Sequence, residues 1–235
     1  MTDAITVLMY HAVGDERGAC EGADAHYAVS SRQFATHLAL ARDNGLAVRS
    51  VADILRRDRA ERCVAFTFDD GHASNGPAAE LIARHGGSAD FFINPSNVGT
   101  PHYLGWSDLR DMAAAGMSIQ SHGQEHVYLD DLTPAGVDAQ LADSRKAIED
   151  QLGTPVTIFA PPGGRVVPDM AGVARRAGYA AVCSSRVGLW HRHEGPWDIA
   201  RLAVLLGTPD AQVARWMQQD RWEMANRRAR HAVLS

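Results

Sequence analysis

Short apolar runs alternate along this chain with longer segments whose apolar residues recur at helical spacing. The runs cover residues 5–9, 46–49, 63–68, 90–93, 117–120, 157–160, 180–183 and 199–204. Each has a length that suits a strand buried on both faces. Between them, the segment 31–44 places Phe34, Leu38 and Ala41 on one helix face, with a Ser at its start and Gly45 at its end. The segments 77–85 and 106–115 each finish at a Gly, and 133–152 is the longest helical stretch. Such alternation predicts an α/β protein with a mostly parallel sheet or barrel. The pattern alone does not separate a barrel from an open doubly wound sheet. With no internal repeat or low-complexity linker, the expectation is one domain over residues 1–235 with a C-terminal helical extension from about residue 208.

Composition narrows the class without changing this picture. The 235 residues are 46% hydrophobic and 22% charged, as in an ordinary globular protein with a full core. A formal charge of -5 and the lack of a long basic block argue against a general nucleic-acid binder. No stretch approaches the roughly 18–20 apolar residues that cross a bilayer. The start, Met1-Thr2-Asp3-Ala4, has no basic region before its short apolar run, so no signal peptide is read there and a cytoplasmic location is expected. Cys20, Cys63 and Cys183 are odd in number and lack metal-type spacing, which reads as free thiols in a reducing compartment. From Asp210 onward, Val213, Trp216, Met217, Trp222 and Met224 are mixed with Arg215, Arg221, Arg227, Arg228 and Arg230. The weightier reading is a helix packing its Trp face on the body; contact of its basic side with a membrane surface is the alternative. Nothing in the sequence sets the oligomeric state.

The chemistry concentrates in two places. Thr67-Phe68-Asp69-Asp70-Gly71 sets two adjacent carboxylates at the mouth of an apolar run. Two like charges side by side are costly to bury unless a cation or a proton joins them. Ser121-His122-Gly123-Gln124-Glu125-His126 supplies two imidazoles after another such run. Alone, Asp-Asp-Gly is usually a turn, and His-x-x-x-His usually lies on a solvated helix face. Together, each just past a strand-like run, they form a ligand set of one Asp and two His for a divalent metal, with the second Asp left to handle protons. Parallel barrels collect their functional groups at that end of the strands.

These motifs resemble the polysaccharide deacetylases of carbohydrate esterase family 4, the NodB-homology family. Thr67–Gly71 matches the first family motif, and His122 with His126 the second. Phe159-Ala160-Pro161-Pro162-Gly163-Gly164 is similar to the third, an Arg-x-Pro-Tyr-Gly type loop. The residues Val7-Leu8-Met9-Tyr10-His11, Ala89 to Ile93, Gly178-Tyr179 and Arg201 to Val204 extend the resemblance over about residues 5–205. It implies a distorted (β/α) barrel with fewer than eight complete β/α units. It further implies a metal-dependent N-deacetylase acting on N-acetylhexosamine in a polysaccharide; family members are often exported, and the cytoplasmic location expected here extends the substrate to a cytoplasmic, lipid-linked precursor in extracellular polysaccharide biosynthesis. An O-acetyl esterase or small-amide hydrolase on the same metal, and a glycan-binding protein without catalysis, are the alternatives.

By the resemblance, Asp70, His122 and His126 hold one divalent metal. The set suits Zn²⁺, and Co²⁺, Ni²⁺, Mn²⁺ or Fe²⁺ can occupy similar ligands. Asp69 is then the general base, and the backbone N–H of Gly163 the oxyanion donor. Three departures stand out. Ala160 replaces the Arg that pairs with the base, so that Arg165 or Arg201 takes its place or the base works without a cationic partner. Gly163 replaces an aromatic residue, which implies a more open cleft. Gly123 replaces a hydroxyl residue after the first His. No His follows the Leu-rich run near 202–206, so His193, ahead of its neighbour His191, is the candidate general acid. Trp106, Tyr10 and His11 read as packing residues, with stacking of Trp106 on a sugar ring and lining of the cleft floor by Tyr10 and His11 as the alternatives, and His72 reads as no ligand.

Overall fold

In the computed structural model, residues 3–14, 19–57 and 61–220 are described. The predicted helix beyond residue 220, with Trp222, Met224 and most of its Arg residues, lies outside them. The first part of the chain comprises β1 (Ala4–Tyr10), β2 (Ala12–Val13), β3 (Ala28–Val29), α1 (Ser31–Asp43), β4 (Ala47–Arg49) and α2 (Val51–Arg56). It continues through β5 (Cys63–Phe68), α3 (Asn75–Arg84), β6 (Asp90–Ile93), α4 (Trp106–Ala114), β7 (Ser118–Ser121) and α5 (Pro134–Leu152). The last elements are β8 (Ile158–Phe159), α6 (Met170–Arg176), β9 (Ala181–Val182), β10 (Trp190–His191), β11 (Leu202–Ala203) and α7 (Asp210–Met217).

The main sheet runs β10-β1-β5-β6-β7-β8-β9, with β11 also paired to β1 and β4 to β5. All of these pairings are parallel except β1 with β10. A parallel bridge between Cys183 and Ile199 carries the β9 edge toward β11, so the sheet curls back on β1 as an incomplete barrel. Every residue of β5 and β6 is buried, as in parallel strands covered on both faces. β4 and β6 pair with successive halves of one edge of β5: Arg49 lies opposite Ala65, and Asp90 opposite Thr67.

Local chemistry sets the helices. Ser30 caps α1 by accepting from Gln33 N–H, and Phe34, His37, Leu38 and Ala41 face the core. Thr133 caps α5, Pro134 opens it, and Gly153 ends it in the left-handed region at φ 65°. Four strands are shorter than their apolar runs, β4, β8, β9 and β11, although single ladder hydrogen bonds from Ala160 N to Ser121 O and from Val204 N to Met9 O continue past β8 and β11. α7 buries Val213, Trp216 and Met217, so over its described length the Trp face packs on the body. No described helix is long and apolar enough to cross a membrane.

Candidate active site

The carboxyl ends of the parallel strands deliver the functional residues in one ring. Backbone hydrogen bonds continue one step past the strands, from Asp69 N to Tyr10 O, from His122 N to Ile93 O, and from Ala160 N to Ser121 O. They hold the residues after β1, β5, β7 and β8 against one another.

Asp69 is buried, and its two carboxylate oxygens accept from Arg201, Nη1 to Oδ1 at 2.7 Å and Nη2 to Oδ2 at 2.9 Å. Arg201, fully buried just before β11, also donates from Nε to the Ser184 carbonyl at 3.0 Å. Burial pushes the Asp69 carboxyl up, but Arg201, with His122 and His11, holds it below its ordinary value. Arg201 thus stands where the third motif lacks its Arg. Arg165 instead reaches Asp130 and Asp131.

Asp70 points the other way. Its φ of 75° puts a non-glycine residue in the left-handed region, ahead of Gly71 at φ 71°. That turn separates two neighbouring carboxylates that extended backbone would also send apart but not to these partners. Asp70 Oδ1 lies 3.4 Å from His122 Nε2 and 3.2 Å from His126 Nε2. His122 Nδ1 meets the Ala160 carbonyl at 2.7 Å. A carbonyl only accepts, so Nδ1 carries the proton and, in the neutral ring, Nε2 presents a lone pair to Asp70. Oδ1 is buried without a hydrogen bond. Lone pairs from a carboxylate and two imidazoles converging without a shared proton fit a divalent cation. Burial raises the Asp70 carboxyl, while the two imidazoles beside it pull it well below the usual carboxylate range; Asp70 in turn raises His126.

The segment between the two His is a bend, not a helix. Gly123 sits at φ 86°, and a Cβ there would meet the Glu125 carbonyl at 3.2 Å. Gln140 of α5 accepts from Glu125 N–H with its side chain and from Gln124 N–H with its carbonyl. Asn94 donates to the His122 and Gly123 carbonyls at 2.5 and 3.2 Å. These contacts fix the backbone of the bend between the two His.

His11, read from sequence as packing, belongs to this ring. It directly follows β1, as Asp69 follows β5 and His122 follows β7, and that strand-end position was the available signal. Its Nδ1 is buried without a hydrogen bond, and its ring lies 4.2 Å from that of Tyr27. Burial lowers its pKa, and the charges of Asp69 and Asp70 partly oppose this.

His193 is not brought to the ring. β10 runs antiparallel to β1, with Ala4 opposite His191, so the loop after it lies at the start of β1. There His193 Nδ1 contacts Asp3 Oδ2 at 2.5 Å, about 26 Å of extended chain from His11. A cavity of about 470 Å³ lined by Asp3, Cys63, Arg192 and Met217 also lies at that far end, away from Asp69.

Gly163 sits in the turn after Ala160 at φ 61°, and a Cβ on it would meet the Tyr128 ring at 2.6 Å. The space left by the missing aromatic is filled by Tyr128, over which Arg165 lies at 4.5 Å. The expected opening of the cleft on that side is therefore closed from another loop. Tyr10 is buried among Phe34 and Phe68, Trp106 packs on the core, and His72 bonds Ser74 and the Glu21 carbonyl.

Comparisons with known proteins follow the same lines. Residues 56–182, more than half the chain, match the family model described as polysaccharide deacetylase. YxkH of Bacillus subtilis, named for a polysaccharide deacetylase, is 28% identical over 209 residues, covering 86% of this chain and 72% of its own length. A peptidoglycan-N-acetylglucosamine deacetylase of Bacillus cereus is 27% identical over 146 residues, 61% of this chain and 63% of its own. Among solved structures, the Streptococcus pyogenes deacetylase PplD in complex with acetate superposes with a TM-score of 0.82 at 23% identity, covering 91% of this chain and 98% of its own. IcaB from Ammonifex degensii gives 0.79 at 24% identity, covering 92% and 97%. At these identities the two structures speak for the fold.

Proposed function

The chain belongs to the polysaccharide deacetylase family, and from that premise we propose that it is a metal-dependent N-deacetylase of N-acetylhexosamine residues in a glycan or glycan precursor. The observation that carries the proposal is the convergence of Asp70 Oδ1 with His122 and His126 Nε2, beside a buried Asp69 clamped by Arg201. Held by Asp70, His122 and His126, a divalent ion would supply Lewis acidity and make water nucleophilic near neutral pH.

The protein's own groups do the rest. Asp69, kept ionised by Arg201, takes a proton from the attacking water. Arg201 engages both oxygens, which fixes the carboxylate plane and leaves each oxygen a further lone pair. The Gly163 N–H, in the turn next to the His122 acceptor Ala160, is assigned to the carbonyl oxygen of the acetamide as charge develops on it. His11 takes the role first read for His193 and gives a proton to the leaving amine. Water adds to the acetyl carbon, the C–N bond breaks, and acetate and a free amine result. The esterase alternative drew on a missing Arg and an open wall, and Arg201 and Tyr128 make up both.

Amine release from N-acetylglucosamine oligomers, measured beside metal content for the wild type, Asp69→Asn and His122→Ala, tests the reading. The expected result is activity in the wild type, a metal-replete but inactive Asp69→Asn, and loss of both metal and activity in His122→Ala. Turnover retained in Asp69→Asn would overturn it.

A further inference from the structure

We propose that Asp3, His191 and His193 form a second divalent transition-metal site, at the opposite end of the sheet from Asp70, His122 and His126. One ligand atom from each of the three lies within 4.8 Å of the others. Backbone pairing builds this cluster: antiparallel register sets Ala4 opposite His191, Arg192 N–H donates to the Asp3 carbonyl at 3.3 Å, and His193 N–H donates to Asp3 Oδ2 at 3.2 Å. The two imidazole rings stand 5.4 Å apart. Arg192, between them in sequence, donates to the Arg57 carbonyl at 3.4 Å.

A carboxylate with two imidazoles is a borderline-soft donor set that suits Zn²⁺, Ni²⁺, Cu²⁺ or Co²⁺ over Mg²⁺ or Ca²⁺. Side-chain exposure of 72% for His193 and 44% for Asp3 leaves water free to complete the coordination. Hydrogen bonds from His193 already hold the Asp3 carboxyl below its ordinary value. Metal entry exchanges the His193–Asp3 hydrogen bond for two coordinate bonds and releases to solvent any proton that the ligating nitrogen carried. Its structural effect is to tie the start of β1 to the turn after β10.

Zn²⁺ uptake by the chelator-stripped full-length chain, counted by calorimetric titration, tests the site. The wild type is expected to bind two equivalents, His122→Ala one, His193→Ala one, and the double variant none. Zn²⁺ is also expected to raise the Tm of His122→Ala by about 5 °C and not that of the double variant. Equal stoichiometry in the wild type and His193→Ala overturns this site. A single equivalent lost only in His122→Ala does so as well, while leaving the deacetylase reading in place. His193 is exposed, so its truncation does not threaten the fold.

Discussion

Asp69 and Asp70 are neighbours in the chain with opposite surroundings, and the difference is set by one guanidinium and one left-handed residue. Arg201 is the partner that composition and spacing did not single out from Arg165, since 132 positions separate it from Asp69. Arg201→Ala leaves a buried carboxylate with no cation, a change that costs about 3–5 kcal/mol of stability. We expect a matching loss in denaturant unfolding and a kcat lower by about 10²–10⁴-fold. Arg201→Lys restores the charge but not the two-pronged contact, so it should recover stability in part and rate little. An Arg201→Ala protein with wild-type kcat would remove Arg201 from the site's working parts. His11→Ala should lower kcat by about 10²–10⁴-fold with KM little changed, as for a proton donor acting only in the transition state. A kcat within threefold of wild type would return His11 to the packing role read from its sequence.

Elements with long apolar faces or all-apolar strands were legible in sequence: α1, α5, β5 and β6 lie where periodicity puts them. Of the short ones, β4, β8, β9 and β11 fall within their apolar runs, whereas α2, β2, β3 and β10 had no such signal. α2 is six residues long, too brief for a helical period, and exists because Ser50 and Asp90 satisfy its first N–H groups. His193 misled more seriously: it is among the nearest His in sequence to the Leu-rich run, but antiparallel pairing of β10 with β1 carries it to the far end of the sheet. Asp90 gives the helix a pH signature. Burial pushes its carboxyl up to about 7 despite hydrogen bonds from Val51, Ala52 and Ser118, while the unfolded value is near 3.8. Between about pH 4 and 7 the folded state therefore binds more protons than the unfolded one, and stability falls as pH rises through that window. Asp90→Asn cannot ionise. The stability of wild type minus variant should decline by roughly 2–4 kcal/mol from pH 4 to 7.5 in urea titrations. A difference independent of pH would show that Asp90 stays charged in the folded protein.

Across the whole molecule, the resemblance stated at the sequence level accounted for the curled sheet, and the alternating pattern alone did not, because closure depends on contacts between distant parts of the chain. One such contact joins β1, α1 and α7. His37 of α1 sits fully buried between Tyr10 of β1 and Asp210 of α7. A carboxylate only accepts, so His37 Nε2–H donates to Asp210 at 3.1 Å, and Nδ1 accepts from the Tyr10 hydroxyl at 2.9 Å. The Tyr10 phenol, raised well above its usual pKa by burial and then by Asp210, keeps its proton for this bond. His37→Ala strands that hydroxyl in the core and opens a cavity beneath α7. The combined cost is about 3 kcal/mol, which for a chain of this size lowers Tm by about 6–12 °C. Asp210→Asn keeps an acceptor for Nε2–H and should cost less than about 1 kcal/mol. Calorimetric scans of the two variants decide the point: equal, small shifts would mean that α7 is held, among the described residues, by its apolar face of Val213, Trp216 and Met217, and a large loss confined to His37→Ala would show that the polar tie contributes to joining β1 to α7.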